Sequence, residues 1–106
     1  VGRAFHDFFG ENTLRSDLSV SVPGLGSLLD HTVLMLGGSQ ISSHSGGSFP
    51  MLLAGGRKLG FQHGQHVKWA GGTKPASDLY LTILQQMGCP VKSFKESTGP
   101  LSEILA

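Results

Sequence analysis

Cysteine is almost missing from this chain. Cys89 is the single one among 106 residues. That excludes an internal disulfide and a cysteine-built zinc site. Charge is scarce as well. Eight Lys and Arg face seven Asp and Glu, 14% of the residues, for a formal net charge of +1. The basic residues are scattered, with Arg57-Lys58 only a pair and Lys92 and Lys95 forming no patch. Nothing here attracts nucleic acid or an acidic membrane. No apolar run approaches the length that spans a bilayer. The first residues lack the basic-then-apolar order of an export signal. What is abundant is glycine, at 16 residues, beside a hydrophobic fraction of 39%. This is not the composition of a disordered chain. It fits one small, loop-rich domain. The chain opens on Val1, which fits a processed product, a domain of something larger or a fragment.

Two stretches read as strands. Thr32 to Leu36 is a continuous apolar run that stops at Gly37-Gly38, and Met51 to Ala54 is another that stops at Gly55-Gly56. Short runs without polar alternation suit strands covered on both faces, as in a parallel sheet. Pro50 suits the start of the second. The linking "SQISSHSGGS" is short for a parallel crossover. "LGFQHGQHVKW" alternates about Gly64, which predicts a hairpin there. "ASDLYLTILQQMG" predicts the strongest helix. Leu79, Ile83 and Met87 share its apolar stripe, Pro75 fits the first turn, and Gly88 and Pro90 fit the end. "RAFHDFF" has helical spacing before Gly10, "SLLD" is a helical turn or a strand approach, and Leu101, Ile104 and Leu105 are placed to dock on a core.

The candidate chemistry is thin. His44, in the Ser/Gly loop after a strand, is a candidate metal ligand or acid–base group. Its plain alternative is a solvated loop histidine, because a lone imidazole lacks partners. His66 and His63 flank Gly64 and make a weaker candidate pair. His31 beside Asp30 reads as structural. The Gly-Gly pairs lack the Lys of a Walker loop and the helix of a dinucleotide fold, so they read as turns. Cys89 has no activator and reads as a small, partly buried residue.

The segments "SLLDHTVLMLGGS", "FPMLLAGG", "GQHVKW", "SDLYLTILQQMGCPVKSF" and "STGPL" occur in that order. Over residues 26–101 they resemble the C-terminal part of the bacterial family DUF1552. That family is distantly similar to the DUF1501 and sulfatase-like members of the alkaline-phosphatase superfamily. It is common in planctomycetes. The resemblance implies an unmatched segment, 1–22, and a DUF1552-like C-terminal portion, 23–106. It implies an α/β fold: a partial, mostly parallel sheet, an accessory β-hairpin and one C-terminal amphipathic helix, like the edge of a larger sandwich. It also implies export, a missing N-terminal part as partner, and a divalent metal such as zinc at His44. The family's second His and Asp are absent at Ser45, Gly46 and Gly47, and Ser77 stands where the relatives carry a His.

Three functions follow from that resemblance. One is a fragment without independent catalysis. Another is the C-terminal part of a metal-dependent hydrolase. The third is a non-catalytic exported binding or cell-surface module. Phosphate- or sulfate-ester hydrolysis needs several carboxylates and histidines around the metal. Only Asp30 and Asp78 lie in the matched elements, which argues against catalysis by this chain alone.

Overall fold

The computed structural model describes residues 14–37, 50–70 and 73–106. The elements run α1 (Leu14–Leu18), β1 (Ser21–Val22), β2 (Gly26–Ser27), β3 (Val33–Gly37), β4 (Met51–Gly55) and α2 (Ala76–Gln86). Single 3₁₀ turns lie at Leu29–His31, Arg57–Leu59 and Ser102–Ile104. The α/β class expected from the sequence holds. The helix expected within "RAFHDFF" lies outside the described residues.

The sheet is antiparallel, not mostly parallel. β3 pairs with β4 from Val33↔Gly55 to Gly37↔Met51, and β1 pairs with β2 in a separate small hairpin. The physical reason is the short link between β3 and β4. A parallel pair needs a long crossover, whereas an antiparallel pair closes with a short one. The apolar runs are not buried on both faces either. Met35 is 43% exposed and Leu52 is 42% exposed. They project from opposite faces of the ribbon, because side chains alternate along a strand and cross-strand partners share a face. The accessory hairpin about Gly64 is absent. Gly64 takes a turn conformation at φ +81°, but Phe61 pairs instead with Leu105 in the C-terminal tail. Gln62 N–H donates to the Ile104 carbonyl at 2.9 Å and Ala106 N–H to the Gly60 carbonyl at 2.8 Å. The tail therefore takes the place of the expected second strand.

α2 is the helix the periodicity predicts, with a rotated inner face. Leu79, Leu81, Thr82, Ser77 and Asp78 are its buried residues. Met87, expected on the apolar stripe, is 53% exposed. The helix ends in a Schellman motif. Gly88 sits at φ +93°, its N–H reaching the Gln85 carbonyl at 3.1 Å, while Cys89 N–H reaches Leu84 at 2.9 Å. Glycine takes this left-handed position without a Cβ penalty, and Pro90 just beyond cannot continue the helix. Cys89 is exposed rather than partly buried.

The buried apolar side chains are Phe61, Leu79, Leu81 and Leu101. Each is worth about 1.5–3 kcal/mol on burial. All four belong to residues 50–106. Among the described residues of 14–37, none is buried. That stretch is held by the β3–β4 ladder and by local bonds instead. Ser27 Oγ accepts from Asp30 N–H at 3.2 Å, and Asp30 Oδ2 accepts from Ser27 N–H at 3.3 Å. This reciprocal pair is a capping box before the 3₁₀ turn. Ser27→Ala is expected to cost about 1 kcal/mol, measured as a lower urea midpoint with an unchanged slope. The Leu29 carbonyl accepts Gly56 N–H at 2.9 Å and ties the turn to the end of β4.

Candidate functional site

Among the described residues the histidines do not assemble a site. His44 lies outside the described residues. His66 is exposed, and among the described residues no group of three or more His, Cys, Asp or Glu is placed to hold a metal ion. His63 is committed to backbone: its Nε2–H donates to the Gly55 carbonyl at 2.5 Å. His31 does the same toward the Leu25 carbonyl at 2.7 Å, as its structural reading predicts. A ring nitrogen used this way is a brace, not an open ligand.

The most organised polar cluster lies between α2 and the tail. Asp78 is fully buried at the start of α2. Its Oδ1 accepts Thr98 N–H at 2.6 Å and its Oδ2 accepts the Thr98 hydroxyl at 2.8 Å. One turn on, Thr82 Oγ1 donates to the Asp78 carbonyl at 2.7 Å and accepts Leu101 N–H at 2.8 Å. Burial alone would raise the Asp78 pKa. The Thr98 N–H and hydroxyl, Gly99 N–H and the charge of Lys74 outweigh it, and the carboxyl stays below the ordinary aspartate value. Both oxygens are taken, so this carboxylate clamps the 98–101 segment instead of moving protons.

A pH dependence follows. The folded pKa is the lower one, so the stabilisation is complete above the ordinary aspartate range. It is lost as pH falls through the folded value. Urea midpoints taken from neutral pH downward are expected to fall in acid for the wild type. The part due to Asp78 is expected to vanish in Asp78→Asn.

On the surface, Gln65 and Trp69 face the last turn. Gln65 Nε2 donates to the Glu103 carbonyl at 2.9 Å, and the Trp69 indole to Glu103 Oε1 at 3.4 Å. Glu103's own backbone N–H and that indole hold its carboxyl below the usual range.

The feature that sequence reasoning missed lies at the other end. Val20, Leu25 and Leu28 are 57%, 56% and 44% exposed around the β1–β2 hairpin. The hairpin is well braced. Leu28 N–H donates to the Val20 carbonyl at 3.1 Å and Leu25 N–H to the Val22 carbonyl at 3.0 Å. Met35, Leu52, Met87 and Val91 are exposed too, but these three gather about one short hairpin. The signal was the spacing of Leu and Val in "VSVPGLGSLL", which resembles a buried hairpin with no core to bury it.

Comparison with known proteins finds a family match at that end. The family model for the Orn/Lys/Arg decarboxylase major domain matches residues 1–45. Lysine decarboxylase LdcA of Pseudomonas aeruginosa is 91% identical over 32 residues, 30% of this chain and 4% of that protein. The lysine decarboxylase of Hafnia alvei is 72% identical over the same length, and the inducible lysine decarboxylase of Escherichia coli 66%. No solved structure matches. These matches overturn the resemblance to DUF1552, and the alkaline-phosphatase-like and sulfatase-like readings with it. The export implied by that resemblance falls with it: the similar proteins are lysine decarboxylases, not members of the DUF1552 family. Among the described residues no helix is long and apolar enough to cross a membrane. The chain spans 4% of the length of the curated relatives it matches.

Proposed function

We propose that the N-terminal part of this chain, within residues 1–45, is a structural segment of an Orn/Lys/Arg decarboxylase, of the lysine-acting kind. In this reading it serves as a packing element, and the decarboxylation is carried by other parts of such an enzyme. The observation that carries the proposal is the 91% identity over 32 residues to a lysine decarboxylase. The lower identities to the Hafnia and Escherichia enzymes support the same assignment. The character of the residues agrees. Within the described part of the matched residues, the His31 ring is spent on the Leu25 carbonyl and the Asp30 carboxylate on Ser27 N–H. The natural partner of the segment is the remainder of a decarboxylase polypeptide.

The test is a graft. The matched 32 residues of the Pseudomonas aeruginosa enzyme are replaced by those of this chain. Lysine decarboxylation is expected to stay within about twofold, because the few exchanges fall in a segment that packs rather than reacts. A loss of more than about tenfold, some 1.4 kcal/mol of barrier, in a graft that still folds would contradict the assignment. This chain alone is expected to release no carbon dioxide from lysine, ornithine or arginine.

A further inference from the structure

We infer that the apolar edge of the β1–β2 hairpin, formed by Val20, Leu25 and Leu28, is a docking surface for the body of a lysine-decarboxylase-type chain. This rests on the decarboxylase reading of residues 1–45 and names the surface through which that segment is held. Three observations carry it. The three side chains are about half exposed, whereas apolar groups on a rigid turn gain stability only when covered. The described residues of the same stretch, 14–37, contribute no buried side chain to this chain, so the cover is not supplied by the core of Phe61, Leu79, Leu81 and Leu101. And the stretch belongs to a family match whose relatives extend far beyond it, since the matched residues are 4% of the Pseudomonas protein. The occupant to which this match points is the rest of such a protein.

The hairpin is prepared for this role. Its turn is closed by the Leu25–Val22 and Leu28–Val20 backbone bonds. The His31 ring holds the Leu25 carbonyl, and the Ser27–Asp30 box fixes the following turn. A surface ordered in advance loses little freedom on binding. A second copy of this chain would meet an edge as poor in partners as itself, and the relatives point to a different occupant.

The probe is the Pseudomonas aeruginosa lysine decarboxylase with its own matched 32 residues replaced by a Gly/Ser linker, its folding checked by circular dichroism. The full 106-residue chain is titrated against it by calorimetry. Saturable binding is expected, at least tenfold weaker for the double variant Leu25→Asp/Leu28→Asp. A folded acceptor that ignores the wild-type chain would overturn the inference. So would equal binding by the double variant, or a dimer of this chain that the double variant abolishes. Should the acceptor not fold, the same two substitutions are placed at the matched positions of the intact decarboxylase. A fall in melting temperature of about 5 °C or more is expected there, with almost none in this chain. An unchanged melting temperature in the decarboxylase would overturn the inference. A graft that stays active while docking fails removes this surface and leaves the decarboxylase assignment standing.

Discussion

Asp78→Ala is expected to destabilise the chain by about 3 kcal/mol, a large part of the margin of a domain this size. The carboxylate is fully buried and accepts two bonds from Thr98, at 2.6 and 2.8 Å. Removing it leaves the Thr98 N–H without its acceptor inside the fold. Each of these bonds is to a charged acceptor, worth about 1.5–3 kcal/mol, and both are lost. The damage spreads along the tail. Thr98 leads to Leu101, whose side chain is 3% exposed and whose N–H is held by Thr82 Oγ1 at 2.8 Å. Asp78→Asn keeps one acceptor and is expected to cost less. Urea unfolding of the two variants checks this. Midpoints equal to that of the wild type would show that the clamp is not what holds the tail.

Gly55→Ala is expected to cost more than about 3 kcal/mol, through two additive causes. Gly55 sits at φ +78°, a conformation in which a Cβ costs about 1–2 kcal/mol. The added carbon would also overlap the Thr32 carbonyl oxygen and come within 3.1 Å of Leu29 Cδ1 and the Leu29 carbonyl. Neither backbone oxygen has room to move. Val33 beside Thr32 is already paired with Gly55 in the β3–β4 ribbon, and the Leu29 carbonyl is held by Gly56 N–H. Gly64→Ala is the matched control. Gly64 has a similar φ, +81°, and nothing within 4 Å of its Cβ position. Its cost is expected to be the backbone cost alone, about 1–2 kcal/mol. Thermal melts of both variants should separate them clearly. Equal losses would mean that the crowding at Gly55 relaxes without cost.

Local rules made some of this molecule readable and left the rest hidden. α2 was legible because its signals agree: apolar spacing from Leu79, Ser77 and Asp78 at the start, Gly88 and Pro90 at the end. Its inner face was not, because a long-range contact rotates it. Leu101 arrives from the tail and bonds Thr82, which turns Leu81 and Thr82 inward and leaves Met87 outside. β3 and β4 were legible as strands, but their partner choice was not. A short apolar run cannot distinguish a strand buried on both faces from a ribbon whose cover lies elsewhere. The Gly64 hairpin failed because Phe61 found a distant partner, Leu105. The decarboxylase-like segment was the least legible part. Its described residues are rich in turns, and the apolar ones among them, Val20, Leu25 and Leu28, are exposed. Periodicity finds cores, and this segment has none of its own. His44 and His66 drew attention by residue type alone. His66 is exposed, and His44 lies outside the described residues.

The chain is unequal along its length: among the described residues the buried apolar side chains all lie in residues 50–106, and none of residues 14–37 is buried. Amide hydrogen exchange on the intact chain tests this most directly. Amides of Leu81 to Gln86 in α2 are expected to exchange only with global unfolding and to speed up in Leu81→Ala. Amides of residues 20–29 are expected to exchange much faster, through local opening, at rates that Leu81→Ala leaves unchanged. Equal protection of the two regions, lost together in Leu81→Ala, would contradict the account.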